Sequence, residues 1–200
     1  MSGQRSQDRA QPAVRAQLQQ AVLAAGRRVA DGSIPDDPVP LGEDAQQAYA
    51  YVLRSTQHRP QTLAELRAKL QRRGIDAAAA TAALFRAQQV GAIDDRAFAR
   101  AWVEDRGTRR GYGRARLRQE LRRRQVDDAL IDEALTAIAD RDDLAVATEL
   151  AAAQARRYPS SLEPAAVARR LGSHLLRRGY SPAIAQRVAA SVAGLDRSWD

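Results

Sequence analysis

Three stretches of the chain place apolar and polar residues in the same order, and that order predicts the elements. Each reads apolar, three residues, Leu, three residues, Gly or Gln, apolar, then a residue able to cap a helix. The copies are Leu66, Leu70, Gly74, Ile75 and Asp76; Leu117, Leu121, Gln125, Val126 and Asp127; and Leu171, Leu175, Gly179, Tyr180 and Ser181. Apolar residues four apart share one face of a helix. A Gly past the last turn takes the left-handed backbone that ends helices, the apolar residue beyond it packs back, and Asp or Ser starts the next helix. The anchoring leucines stand 51 and 54 residues apart, which leaves room for about three short helices per repeat. A unit this small completes its core by stacking on its neighbours.

The punctuation around the phrase agrees with it. Thr62, Leu63, Ala64 and Glu65 form a capping box that starts a helix running through about Arg73. Ser181 and Pro182 supply a cap and a first-turn proline together. The third helix of each repeat shows an apolar stripe at constant offsets: Ala79, Ala83, Ala87; Leu130, Ala134, Ile138; Ile184, Val188, Val192. Gln125 stands where the other copies have Gly, a cost of up to about 1 kcal/mol if the backbone there is left-handed. Residues 1–46 are rich in Gln, Ala and Arg, and Asp31 to Pro40 cannot continue a helix. The expectation there is a disordered tail and linker, with at most a transient helix from Ala13 to Val29. The helical pattern is steady from Gln47. The predicted fold is all-α: three tandem three-helix, helix-turn-helix-like repeats at 47–93, 94–146 and 147–200, behind the tail.

Composition narrows the chemistry. With 200 residues, 44% apolar and only 4% aromatic, the core must be built from Leu, Ala, Val and Ile. The absence of Cys removes disulfides and thiolate metal sites and fits a reducing compartment. No apolar run is suited to spanning a bilayer and no apolar segment follows Met1, so the expected location is cytoplasmic, with no membrane partner. The formal net charge of +8 points to nucleic acid or to an assembly organised around it. Its distribution matters more than its sum. The section 94–146 balances 12 basic against 12 acidic residues, yet 106–124 within it holds 9 Arg and only Glu120. Lys69 is the only lysine, so the charge is almost wholly guanidinium, which forks onto phosphates or carboxylates.

That run, Arg106, Arg109, Arg110, Arg114, Arg116, Arg118, Arg122, Arg123 and Arg124, is the main candidate surface. With Leu117 and Leu121 inward, Arg116 and Arg123 share one outward stripe and Arg118 and Arg122 another. The competing account is an ordinary solvated face, partly neutralised by Glu104, Asp105, Asp127 and Asp128. Gly107 to Gly113 offers backbone amides to a phosphate, but it lacks the Lys-Ser/Thr ending of a phosphate-binding loop, and a plain interhelical turn is the expectation. Arg72 with Arg73, Arg123 with Arg124, and Arg177 with Arg178 close the second helix of each repeat. They compensate the helix dipole or form a periodic basic ridge.

Asp94 and Asp95 resemble a catalytic pair, but neighbours at a helix start diverge. Asp94 is expected to cap the helix carrying Phe98 and Trp102, with Asp95 favouring its positive end. Phe98 and Trp102, four apart, are expected to pack the middle repeat rather than stack on bases. His58 and His174 have no ligand partner at metal spacing. No nucleophile, base and orienting group assemble from these motifs, so neither an enzyme, a metal nor a cofactor is expected.

Gly91, Ala92, Ile93, Asp94, Asp95, Arg96, Ala97, Phe98 and Ala99, followed by Trp102, Val103, Arg106 and the Gly111-Tyr112-Gly113 turn, resemble the central signature of the RecX family of recombinase regulators. Glu65 and Leu66, with Leu70 and Gly74, match that family's first-repeat phrase. The resemblance covers about residues 47–195 in order and spacing, and a match in several parts is more specific than one motif. It implies an elongated curved array of three-helix repeats, a non-enzymatic regulator that binds the RecA filament on single-stranded DNA; the expected state is a monomer. It further implies inhibition of strand exchange, ATPase and co-protease activities, modulating DNA repair and the SOS response. The alternative, from charge and short helices alone, is a stand-alone nucleic-acid-binding module without sequence preference.

Overall fold

The computed structural model describes residues 41–195, and the regular structure among them is helical throughout. The nine α-helices among the described residues are α1 Glu43–His58, α2 Leu63–Arg72, α3 Ala77–Gln89, α4 Asp95–Val103, α5 Arg114–Arg123, α6 Asp128–Leu135, α7 Asp143–Ala155, α8 Pro164–Arg178 and α9 Pro182–Val192. A π-helical turn, Glu104–Arg109, continues α4, and a 3-10 turn, Thr136–Ile138, tightens the end of α6. Taken in threes, α1–α3, α4–α6 and α7–α9 are the three repeats. Residues 1–40, with the expected tail and the Ala13 to Val29 segment, lie outside the described residues. The first helix begins at Glu43, four residues before the pattern becomes steady, because Glu43 and Asp44 suit the positive end of a helix.

The repeated phrase closes the middle helix in the same way three times. All six of its leucines, Leu66, Leu70, Leu117, Leu121, Leu171 and Leu175, are fully buried. The backbone is left-handed at Gly74 (φ 72°), Gln125 (φ 56°) and Gly179 (φ 89°). Each turn then returns one bond to the anchoring leucine: Ile75 N–H to Leu70 O, Val126 N–H to Leu121 O and Tyr180 N–H to Leu175 O, each at 3.2 Å. This satisfies a carbonyl that the helix end would otherwise leave unbonded. Gln125 therefore does hold the strained conformation its position predicts.

The caps follow suit. Thr62 Oγ1 accepts from Glu65 N at 3.2 Å while Thr62 N donates to Glu65 Oε2, completing the capping box. Asp76 accepts from the amides of Ala78 and Ala79, and Ser181 from that of Ile184. The third-helix stripes are wider than predicted. Ala83, Ala87, Ala134, Ile138 and Val188 are buried, but so are their neighbours one residue along, Ala80, Leu84, Ile131, Leu135, Ala185 and Ala189. Ala79, Leu130, Ile184 and Val192 are only half-buried. A stripe at one period underestimates a helix packed on two sides.

The chain forms two compact units, one from 41–105 with 121–134, the other from 106–120 with 135–195. In the first, α1 and α2 pack against α3 around Val52, Leu66, Leu70, Ala83, Leu84 and Ile93. In the second, α7, α8 and α9 enclose Ala147, Ala151, Leu171, Leu175, Tyr180 and Val188.

Candidate binding surface

The arginine run divides by what each guanidinium touches. Glu120, its one acid, accepts from Arg106 Nη1 at 3.0 Å and from Arg116 Nε at 2.9 Å. Arg116 also lies over the Tyr112 ring, 3.9 Å from its centroid, and donates to Arg177 O at 3.1 Å. It is an internal clasp, so the predicted outward stripe of Arg116 with Arg123 does not form. Arg114 donates to Ile138 O at 3.2 Å. Arg122 forks onto Asp128 at 2.7 and 3.0 Å, and both groups stay exposed. Arg118 is half-buried, while Arg109 and Arg123 are exposed.

The paired arginines at the helix ends split in the same sense three times. The first of each pair, Arg72, Arg123 and Arg177, is exposed. The second is engaged. Arg73 stands over Tyr51, 4.0 Å from the ring centroid. Arg124 pairs with Glu65 at 2.5 Å and covers Trp102 at 4.3 Å. Arg178 donates through Nη1 to Arg110 O at 2.7 Å and through Nε to His174 Nε2 at 3.1 Å. Each pair thus joins an exposed arginine to one turned onto a ring, a carboxylate or a carbonyl, and Arg73 stays exposed while doing so.

The Gly107–Gly113 segment is no phosphate cradle. Arg141 donates to the carbonyls of Gly107 (2.7 Å) and Tyr112 (3.1 Å), and the buried Tyr180 hydroxyl donates to Gly111 O at 2.8 Å. The Tyr112 amide is spent on Arg106 O and the Gly113 amide on Arg178 O. Burial pushes the Tyr180 phenol up, so it remains a donor at neutral pH.

Asp94 caps α4, accepting from Ala97 N at 2.8 Å. Asp95 does more than favour the helix end: its Oδ1 accepts from Leu63 N at 2.9 Å and ties α4 to the first turn of α2. Burial, with Asp94 and Glu65 nearby, pushes its carboxyl up despite that bond. Phe98 and Trp102 stack with centroids 5.6 Å apart and are buried, which leaves no face for a base. The His174 imidazole is held below its ordinary range by burial and by Arg178, Arg177 and Arg157, consistent with its accepting from Arg178.

Three residues matter here that the sequence pattern did not single out for it. Glu65 and Glu120 neutralise arginines from distant or same-face positions. Arg141 holds two loop carbonyls and Asp143. Its signal was a lone cation among Asp140, Asp142 and Asp143. Among the described residues no group of three or more His, Cys, Asp or Glu is placed to hold a metal ion, and no helix is long and apolar enough to cross a membrane.

Fold and surface together define a basic, all-helical repeat protein with an exposed arginine two residues past the anchoring leucine in each repeat. Residues 94–135 match the family described as RecX, second three-helix domain. Regulatory protein RecX of Mycobacterium sp. (strain KMS) is 40% identical over 165 residues, covering 79% of this chain and 88% of that protein. Regulatory protein RecX of Streptomyces coelicolor is 38% identical over 161 residues, covering 80% and 82%. The crystal structure of RecX from Lactobacillus salivarius shares the fold, with a TM-score of 0.62 at 20% identity over 77% of this chain and 97% of that one. The chain belongs to the RecX family of regulatory proteins.

Proposed function

We propose that this protein binds the RecA filament on single-stranded DNA and inhibits its recombinase, ATPase and co-protease activities, so modulating DNA repair and the SOS response. It acts as a monomer in the cytoplasm. Repeats 47–93, 94–146 and 147–200 meet successive protomers, and occupation of the filament groove excludes a second duplex. The observation that carries this reading is the recurrence of an exposed guanidinium two residues past the anchoring leucine, Arg72, Arg123 and Arg177, in a RecX-family chain of net charge +8. A row of forked cations suits phosphates or carboxylates at regular intervals.

The test is ATP hydrolysis by RecA of the same organism on single-stranded DNA, titrated with this protein beside a naked-DNA binding curve. Inhibition is expected well below one molecule per protomer. Reversing Arg72, Arg123 and Arg177 to Glu abolishes it with helicity unchanged; full inhibition by that variant removes the ridge from the mechanism. The same cations favour a second reading, a stand-alone nucleic-acid-binding module. That reading requires inhibition only where naked DNA is saturated. It also requires the salt slope on single strands to fall by about 2 when three phosphate contacts are lost, at roughly 0.7 per contact.

A further inference from the structure

The chain closes the same kind of junction twice, and each closure lies within one compact unit. In the first unit, the start of α2 receives the turn after α5. Thr62 Oγ1 donates to Arg124 O at 2.9 Å, and Glu65, in the first turn, receives the Arg124 guanidinium. In the second unit, the start of α5 receives the turn after α8. Gly113 N donates to Arg178 O at 2.8 Å, Arg116 donates to Arg177 O, and the Arg178 guanidinium reaches Arg110 O. The positions correspond: Thr62 and Gly113 both stand eight residues before the anchoring leucine, and Arg124 and Arg178 both stand three after it.

The turn after α2 has the same parts, Leu70, Arg73, Gly74 and Ile75, but no preceding helix start in the described chain covers it. Its exposure shows the difference. Arg73 is exposed where Arg124 and Arg178 are half-buried, and Ile75 is half-buried where Val126 and Tyr180 are 4% exposed. In place of a covering helix there is a groove of about 380 Å³, lined among others by Gln47, Tyr51, Arg54, Leu70, Arg73 and Ile75. A second copy does not supply the cover at its far end. There the middle helix α8 starts a turn earlier, at Pro164, so the position equivalent to Thr62 is Val167, inside the helix with no cap to offer.

We propose that this groove is an open junction, and that a protein partner closes it with the N-terminus of an α-helix bearing a carboxylate in its first turn. Arg54 and Arg73 flank the groove, and no acid lines it. A helix start presents N–H donors and tolerates an acid, the pairing that Thr62 and Glu65 provide to Arg124. The choice of the RecA filament as the partner tested rests on the function proposed above.

The experiment compares the full chain with Gln47→Trp, which fills the groove from an exposed position without changing charge, and with Arg73→Gln. Affinity is measured for the RecA filament on poly(dT) and for naked poly(dT), together with the melting temperature of the free protein. The expected result is at least a tenfold loss on the filament for both variants. For Gln47→Trp, naked-strand affinity stays within twofold and melting is unchanged. Equal loss on filament and naked strand makes the occupant nucleic acid and overturns the proposal. A lower melting temperature for free Gln47→Trp means the chain itself fills the groove, which also overturns it. Unchanged filament affinity in both variants overturns it while the regulator reading stands; a wild-type chain that prefers naked strand to filament overturns both.

Discussion

In the second unit the backbone at Gly113 lies close against Gly179, and that approach sets up a graded test. A methyl group on Gly113 would stand 2.2 Å from Gly179 O and 2.4 Å from Gly179 C. Carbon and its neighbours settle at about 3.5 Å, so the two segments must part by more than about 1 Å. That stretches the 2.8 Å bond from Gly113 N to Arg178 O beyond hydrogen-bonding range. Losing it and leaving both groups half-satisfied costs about 2 to 3 kcal/mol. Gly74→Ala is the control. Its φ is 72° with nothing within 4 Å of the added carbon, so it meets only the left-handed penalty of about 1 kcal/mol. Gly179→Ala combines φ 89° with a contact of 2.4 Å to Arg116 N and is expected to exceed both. Urea unfolding followed by far-UV circular dichroism should rank the losses Gly74, then Gly113, then Gly179. If Gly113→Ala costs no more than Gly74→Ala, the junction is not closed by this contact and the reasoning fails.

Gln125→Gly relieves a left-handed non-glycine residue (φ 56°) and should raise stability by about 0.5 kcal/mol after the entropy gained by the unfolded chain is subtracted, a gain visible as a higher urea midpoint. Arg124→Met strands the partly buried Glu65 carboxylate and should cost about 1 to 2 kcal/mol; adding Glu65→Gln should recover part of it, and strictly additive losses in the double-mutant cycle would show the pair uncoupled. His174 is held below its ordinary pKa, so between that ordinary value and the lower folded one the unfolded chain binds the extra proton. Stability should therefore fall as pH drops through about 6.5 and level off below the folded pKa. His174→Gln should show a smaller drop between pH 7.5 and pH 5 in the same melting assay, and identical pH profiles would contradict the assignment.

The fold is legible in the sequence because its decisive signals are local. Leucines four apart, a turn residue four beyond the anchor, an apolar residue fifth and a cap sixth are fixed by helix geometry within one stretch, and Gln125 obeys the pattern at a cost. The candidate surface is less legible because an arginine's role depends on where a distant acid or carbonyl lies: Glu65 is 59 residues from Arg124 and Gly107 is 34 from Arg141. Yet one part of that division follows from helix geometry alone. At about 100° per residue, the position two past the anchoring leucine lies about 200° around the helix, facing away from the buried side, while the position three past it lies within about 60° of the leucine. Arg72, Arg123 and Arg177 hold the first position and are exposed; Arg73, Arg124 and Arg178 hold the second and reach a ring, a carboxylate and a carbonyl. The two arginines of each pair are therefore placed differently, one pointing away from the leucine face and one turned back onto a ring, a carboxylate or a carbonyl, so the six do not form one uniform basic ridge.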